Sequence, residues 1–276
     1  MHPLLVDFGV WRLPLLGEVH LFLASYGLIV ALSAVGGWFL FLRLARANGI
    51  PPVEGEIVAF WTLVAALAGS KLLLILLDWR AYFEDPRSLL SALRSAGVLM
   101  AGVAAGFVVC ASVSWLRGLP FWKITDAVAI PLVLAQATGR IGCLLAGCCY
   151  GRPAAGLPWA ITFTNPLATE YSGTPLGVAL HPVQLYQFCT DLALSIILIA
   201  IWRRRRFAGQ VWLCYMILYG IERGIIELWR GDTVRGVFLG GRLSTSQLFA
   251  IASVAAGIAL WPTLSRRAAD PRHAAG

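Results

Sequence analysis

The chain has 276 residues, of which 59% are apolar and only 13% charged, where soluble domains average about 45–50% and about 25%. With a mean hydropathy of +0.76, this excludes an ordinary soluble enzyme and a disordered chain, and points to an all-α polytopic membrane protein. The formal net charge of +8 then has to be read loop by loop, not as a nucleic-acid signal; no nucleic-acid partner is expected.

Seven apolar segments follow in chain order. They run from about His20 to Leu42, Ile57 to Leu77, Gly97 to Leu116, Thr125 to Ala137, His181 to Trp202, Gln210 to Trp229 and Ser246 to Leu260. About 20 residues of helix span the roughly 30 Å hydrocarbon layer. The fourth is short by that measure. Gly139-Arg140 interrupts it, and it needs the stretch to Leu145 to complete a span. The runs are continuous and do not alternate with period two, which argues against transmembrane strands. Residues 1–19 read as an outer-surface interfacial segment or an ordered extension of the first span. No cleavable signal peptide is expected, because Met1-His2-Pro3-Leu4-Leu5 has no basic start. The Thr-, Pro- and Gly-rich block 150–180 reads as a small extramembrane cap, with Asn165 and Pro166 in a turn. The whole chain, 1–276, is expected to be a single membrane domain.

Basic residues are nearly even on the two sides of this topology. Arg203-Arg204-Arg205-Arg206 and Arg266-Arg267, however, follow span ends on the same side. That clustering places the N-terminus outside and the C-terminus in the cytoplasm.

Polar residues at membrane depth carry the functional reading, because an arginine in a span costs about 2.5 kcal/mol or more on insertion scales. The first such stretch runs Gly139-Arg140-Ile141-Gly142-Cys143-Leu144-Leu145-Ala146-Gly147-Cys148-Cys149-Tyr150-Gly151-Arg152. Its glycines let backbone approach a ligand or another helix. A tightly packed re-entry with Arg140 snorkelling to the interface would use the same residues. In the second stretch, Tyr219, Arg223, Glu227 and Arg230 fall at i, i+4, i+8 and i+11, one face of a helix. An Arg–Glu pair there either locks helix to helix or belongs to a site. Arginine is the side chain suited to two-pronged phosphate recognition. Two arginines from different helices near the outer face suggest an anionic phospholipid headgroup.

Of the six cysteines, Cys110, Cys189 and Cys214 read as small packing residues within spans. Cys143, Cys148 and Cys149 cluster near the outer face, where a disulfide from Cys143 to Cys148 or Cys149 is allowed. No metal site is expected, because no His or acid flanks them at ligand spacing. His181 heads a span beside Pro182 and reads as a helix-start residue or a proton-transfer group. Asp191 stands alone in mid-span and is given no role. Nothing suggests two matching halves with broken helices, so a repeat-built transporter is disfavoured.

These stretches resemble the prolipoprotein diacylglyceryl transferase family over nearly the whole chain. The resemblance rests on Tyr26-Gly27, the Gly139–Arg152 loop, His181-Pro182-Val183-Gln184-Leu185-Tyr186, the Arg223–Glu227 spacing with Tyr219 one turn before, and Ser244-Thr245-Ser246-Gln247 opening the last span. It implies a bacterial inner-membrane enzyme with seven spans. Such an enzyme moves a diacylglyceryl group from phosphatidylglycerol to the lipobox cysteine of an exported preprotein, forming a thioether and releasing glycerol phosphate. Its partners would be phosphatidylglycerol, lipobox-containing preproteins and membrane lipids, and no cofactor is called for. The resemblance makes Arg140 and Arg223 phosphate-handling residues and has Glu227 orient Arg223 or take part in proton movement. It places Tyr26, Gly142, Gly151, His181, Tyr219 and Gln247 at the substrate. The chain departs from the family pattern at Met100, where well-known members have His, at Cys143, where many have Asn, at Cys148, where many have an acid, and at Lys71, where Arg is usual. These departures leave open a transferase with another acceptor and a non-catalytic phospholipid-binding protein.

Overall fold

The computed structural model describes residues 2–13, 17–77, 79–80, 97–232, 237–238 and 243–269. Arg87, Arg94, Arg235, Arg242 and Arg272, which enter the loop-charge reading, lie outside them. The chain is mostly helical. In order, the elements are β1 (Leu4–Leu13), β2 (Gly17–Ala24), α1 (Ser25–Ala47), α2 (Pro52–Leu77), α3 (Leu99–Leu116), α4 (Phe121–Ala146), β3 (Ile161–Thr162), α5 (Pro166–Ser172), β4 (Ala179–Leu180), α6 (Val183–Arg204), α7 (Gln210–Ile226), β5 (Val237–Phe238), β6 (Leu243–Ser244) and α8 (Thr245–Ala269). Among the described residues, α1, α2, α4, α6 and α8 are long and apolar enough to cross a membrane. At 18 and 17 residues, α3 and α7 are shorter. Large apolar side chains such as Phe39, Leu67, Trp115 and Ile258 point outward, as a lipid-facing surface requires. The chain is a multi-pass membrane protein.

Several boundaries differ from the sequence reading. The fold is not purely helical: strands pair as β1–β2, β3–β4 and β5–β6. His20–Ala24, read as the start of the first span, belongs to β2, and the helix begins only at Ser25. The Ser25 N–H donates to the Pro3 carbonyl at 3.0 Å and its hydroxyl to the His2 carbonyl, so the backbone before β1 satisfies donors at the helix start. Gly139-Arg140 does not interrupt the fourth span. α4 runs unbroken for 26 residues through Pro131, Gly139 and Arg140, because a single interior glycine costs only about 1 kcal/mol, which packing overrides. The sixth segment is helical only to Ile226, and Glu227–Trp229 tighten into a 3-10 turn. Asn165 and Pro166 start a helix and are not a free turn. The Asn165 side chain accepts from the Leu167 N–H at 3.0 Å, and Gly173, at φ 64, closes α5.

The chain divides into two compact units. One comprises the described residues within Gly9–Leu21 and Trp38–Ile124. In it, α2 and α3 pack through small residues: a Cβ on Gly102 would stand 2.7 Å from the Ala66 carbonyl oxygen, and one on Gly106 3.4 Å from the Ala66 Cβ. The other comprises those within Met1–Phe8, Phe22–Gly37 and Thr125–Gly276 and holds every candidate site residue. There α7 crosses α8 at Gly220 and Gly257, where an added Cβ would come 2.7 Å from Val254 and from Ile217. α1 meets α4 through Ser33 and Thr138, whose hydroxyls are 2.6 Å apart.

The start of α7 is held from another helix. Asp126 of α4, fully buried, accepts from the Gly209 N–H at 2.8 Å and the Trp212 N–H at 3.0 Å. It therefore satisfies donors that would be orphaned at a helix N-terminus, and its charge complements the dipole. Asp126→Ala is expected to destabilise the protein by about 1–3 kcal/mol, read as a lower melting temperature in detergent. Asp126→Asn, which keeps one acceptor, should be milder. An unchanged melting temperature for Asp126→Ala would remove the capping role.

Candidate active site

The site is built where α7 ends. Arg223 lies in the last turn of α7 and Glu227 is its C-cap residue. A carboxylate there opposes the negative end of the helix dipole, and Arg223 compensates it. Arg223 Nη1 lies 2.9 Å from Glu227 Oε2, with side chains only 9% and 3% exposed. The other arm of the guanidinium, Nη2, donates to Ser246 Oγ at 2.9 Å. One arginine thus joins α7, the turn after it and the first turn of α8.

That first turn has its own sequence logic. Ser244 precedes α8. Its Oγ accepts from the Gln247 N–H at 3.2 Å, while Gln247 Oε1 accepts from the Ser244 N–H at 3.0 Å. This reciprocal capping box gives Gln247, expected at the substrate, the work of starting the helix that presents Ser246.

Arg140 enters from the last two turns of α4 and is half-buried. Its electrostatic neighbours are Cys143, Tyr219, Cys149 and Asp191. Among the described residues it has no ion pair and no side-chain hydrogen bond, so its five N–H donors face no bound acceptor. Arg223 and Arg230 are both within electrostatic range of it. Arg230 does not continue the helical face of Tyr219, Arg223 and Glu227. α7 has already ended, and Arg230 is extended and bridges Gly151. Its fork is closed on Asp232, at 2.8 Å from Nε to Oδ1 and 2.5 Å from Nη2 to Oδ2. Three guanidiniums therefore gather from α4, α7 and the segment after α7, and two of them are tied to carboxylates.

The remaining expected residues fall around them. Tyr26, in the first turn of α1, has Arg140 and all three clustered cysteines as electrostatic neighbours. Gly142 lets α4 approach it: a Cβ there would lie 3.1 Å from Tyr26 Cδ2. Tyr219 stacks on Tyr215, ring centroids 5.3 Å apart at 17°, and Tyr215 exchanges hydrogen bonds with Gln136 of α4 at 3.0 and 3.2 Å. Gly151 lies in a backbone junction. The Arg152 N–H donates to the Trp229 carbonyl at 2.9 Å, and the His181 N–H donates to the Arg152 carbonyl at 3.0 Å. His181 Nδ1 is 3.3 Å from the Tyr186 hydroxyl, which accepts from Trp159 Nε1 at 2.8 Å. Partial burial and then Arg152 lower the His181 pKa, favouring the neutral ring that a proton acceptor needs.

Sequence reasoning missed two groups, Asp191 and Ser246. Asp191 is not isolated. It is fully buried on α6, with Glu222, Arg140 and Arg223 as electrostatic neighbours. The i, i+4 pattern within one helix gave no access to this cross-helix cluster. Ser246 stood inside a quoted motif, and its hydroxyl is what Arg223 grips. The cysteines expected to cluster do so: the sulfurs of Cys143, Cys148 and Cys149 all lie within 4.8 Å of one another. Hydrogen bonding with Cys143 and Cys148, with Arg230 and Arg140 adding to it, holds the Cys149 thiol well below its ordinary pKa. Cys148 is pushed up by its own bonds to Cys143 and Cys149.

A family model described as prolipoprotein diacylglyceryl transferase matches residues 14–263. The chain belongs to the prolipoprotein diacylglyceryl transferase family. It is a transferase, and the family match covers every side chain described above, from Tyr26 to Gln247. The phosphatidylglycerol–prolipoprotein diacylglyceryl transferase of Clostridium tetani is 32% identical over 238 residues, 85% of this chain and 90% of the relative. A Clostridium perfringens protein of the same name, numbered 2, is 31% identical over 89% of this chain and 93% of its own length. The Symbiobacterium thermophilum transferase is 30% identical over 91% and 92%. These members of the prolipoprotein diacylglyceryl transferase family align with this chain nearly end to end.

Proposed function

We propose that the chain transfers the diacylglyceryl group of phosphatidylglycerol to the lipobox cysteine thiol of exported prolipoproteins. The observation that carries this reading is the inequality among three clustered arginines. Arg223 is tied to Glu227 and Ser246, and Arg230 to Asp232. Arg140 beside them keeps its donors for an external anion. A phosphodiester suits those donors in charge and in two-pronged geometry.

In the proposed reaction, Arg140 grips the phosphate of the lipid, and Arg223 and Arg230 add positive field. The acceptor sulfur attacks the glyceryl carbon. The C–O bond to phosphate breaks, its electron pair leaves with glycerol phosphate, and a thioether forms. Negative charge grows on the leaving phosphate, where the arginines are already oriented, so their stabilisation increases toward the transition state. Glu227, paired with Arg223, accepts the thiol proton. The Tyr26 and Tyr219 hydroxyls contact the headgroup. Gly142 and Gly151 keep backbone close around the site, His181 lines its rim, and Gln247 holds α8 so that Ser246 meets Arg223.

The same reading places the protein in the bacterial inner membrane with seven spans, α3 and α7 completing the set. The N-terminus is outside and the C-terminus cytoplasmic. Residues 1–19 then lie along the outer interface, and block 150–180 caps the outer face of a single membrane domain.

The test is an assay of purified protein in detergent with phosphatidylglycerol and a lipobox peptide. The peptide should gain the mass of one diacylglyceryl group, glycerol phosphate should appear in equal amount, and a Cys→Ser peptide should stay unmodified. Lipid binding without product would overturn the transfer. Glu227→Gln is expected to slow transfer by about 10²-fold or more, the range for a lost general base; full activity would remove Glu227 from proton movement.

A further inference from the structure

We propose that Cys143, Cys148 and Cys149 form a three-thiolate site for a thiophilic divalent ion of the zinc class, its fourth position left for an external thiol. The first argument is geometric. The three sulfurs lie within 4.8 Å of one another. Sulfurs bound at about 2.3 Å to one tetrahedral ion stand about 3.8 Å apart, so closing the site takes shifts of about an ångström. Three is also the wrong number for disulfides, since any pairing leaves an odd thiol.

The second argument is that the backbone under the sulfurs is pinned. The Cys148 N–H donates to the Cys143 carbonyl at 3.0 Å as α4 ends. Thr174 Oγ1 donates to the Gly147 carbonyl at 2.6 Å, Gln184 Nε2 to the Cys148 carbonyl at 2.8 Å, and the Gly231 N–H to the Tyr150 carbonyl at 3.1 Å. Gly147 and Cys149 both turn left-handed, at φ 79 and 58, which folds three sequence-near sulfurs to one side. Each carbonyl bond comes from a different segment, so the arrangement is held without the ion.

The third argument is charge. Three thiolates and a divalent ion leave one net negative charge, and a fourth thiolate leaves two. Arg140 and Arg230 are within electrostatic range of Cys149 and offset that charge. Thiolates select soft ions over magnesium or calcium. Cys143 is buried, whereas Cys148 and Cys149 are partly exposed, so the site opens on one side, as a site with a free fourth position requires.

Use of that position rests on the transfer proposed above. The acceptor thiol binds the ion and loses its proton to Glu227, the acceptor proposed above, because a metal-bound thiol is deprotonated. The bound sulfur then attacks the glyceryl carbon, the carbon–oxygen bond to phosphate breaks, and glycerol phosphate departs with the electron pair. This gives the acceptor thiolate a source in a chain that has Met100 where well-known members carry His.

The experiment uses full-length protein in detergent, reduced and metal-stripped, with Co(II) as the probe. One Co(II) per chain with a sulfur-to-cobalt charge-transfer band is expected. Cys149→Ser and Cys143→Ser should each weaken binding by more than about tenfold. A lipobox peptide should shift the ligand-field bands, and its Cys→Ser form should not. Equal Co(II) binding by a variant with all three cysteines replaced by serine, or no binding by the reduced protein, overturns the site. Full-rate transfer by metal-stripped protein overturns the role of the fourth position while leaving the transferase reading intact. Tight Co(II) binding in a protein that never turns over supports the site and removes the transferase reading instead.

Discussion

Arg223→Lys is expected to reduce transfer by about 10²-fold or more while the protein still folds. Arg223 holds Glu227 with one nitrogen and Ser246 with the other, each at 2.9 Å. A lysine keeps the positive charge but offers a single ammonium on a flexible stem, so it cannot span both partners in the plane of a guanidinium. The ion pair with Glu227 can survive, and with it much of the stability. What is lost is the register between α7 and the first turn of α8, and an ångström of misplacement near reacting groups can cost about 10²-fold. Arg223→Ala would be a poorer test. It takes the Arg223 charge away from the buried Glu227 carboxylate, at about 3–5 kcal/mol, so lost activity and lost fold would coincide. The measurement is the lipid-to-peptide assay on Arg223→Lys and Ser246→Ala, with a melting curve for each in detergent. Ser246→Ala should lose less, because the Glu227 pair remains. Activity of Arg223→Lys within about threefold of wild type would rule out a geometric role for the guanidinium.

The chain's apolar runs made most of the helical fold legible, because a segment that lies in lipid must be continuous, apolar and self-satisfied in hydrogen bonds. The Arg223–Glu227 pair was legible for a similar reason: its partners lie on one helix at i, i+4. What stayed hidden depends on partners distant in sequence. Asp191 looked isolated along α6, and only the crossing of α4 and α7 brings Arg140, Arg223 and Glu222 to it. Arg230 looked helical, because nothing in Glu227-Leu228-Trp229 breaks a helix by residue type. The turn there follows from the Gly151–Arg230 bridge, a tertiary contact. Residues 1–19 were read as an interfacial segment or an extension of the first span, and His20–Ala24 as the span itself, because β1 and β2 mix apolar and charged types without a clean alternation. The clustering of the cysteines was legible from their closeness in sequence, whereas the turn with two left-handed residues, Gly147 and Cys149, that closes it was not.

Two of the departures from the family pattern, Cys143 and Cys148, meet in one place. Cys143 and Cys148 stand where many members have Asn and an acid, and they sit together beside Arg140. In the transfer proposed above, the phosphate falls to Arg140, Arg223, Tyr26 and Tyr219, which match the resemblance to the family. On that proposal the lipid donor side follows the family pattern, and Cys143 and Cys148 belong to the side of the acceptor thiol.

Gly151→Val is expected to abolish folded protein, the largest stability effect at any single position of the site. Gly151 sits where three backbones converge. It bridges Arg230, its neighbour Arg152 receives the His181 N–H, and Pro153 bridges Leu180. A Cβ there would overlap the His181 carbonyl oxygen and come within 2.6 Å of the His181 Cβ and 2.7 Å of Val183 Cγ2. The first of these is backbone pinned by its own hydrogen bonds, so no side-chain rotation relieves the clash. From the other side, a Cβ on Gly231 would stand 2.5 Å from the Gly151 carbonyl oxygen, so neither strand can retreat. Overpacking in a tight core typically costs about 1–3 kcal/mol and more where backbone must move. Valine adds branched bulk at the same point, and single domains are stable by only about 5–15 kcal/mol in all. Gly151→Ala should already lower yield and melting temperature, and Gly151→Val should leave no monodisperse protein in detergent. Gly156, which has nothing within 4 Å of an added Cβ but a φ of +89, provides the comparison. Its Ala variant carries backbone strain alone, of order 1 kcal/mol, and should remain folded. If Gly151→Val purifies and melts like wild type, the junction that carries Arg230 and His181 is not as tight as its backbone contacts require.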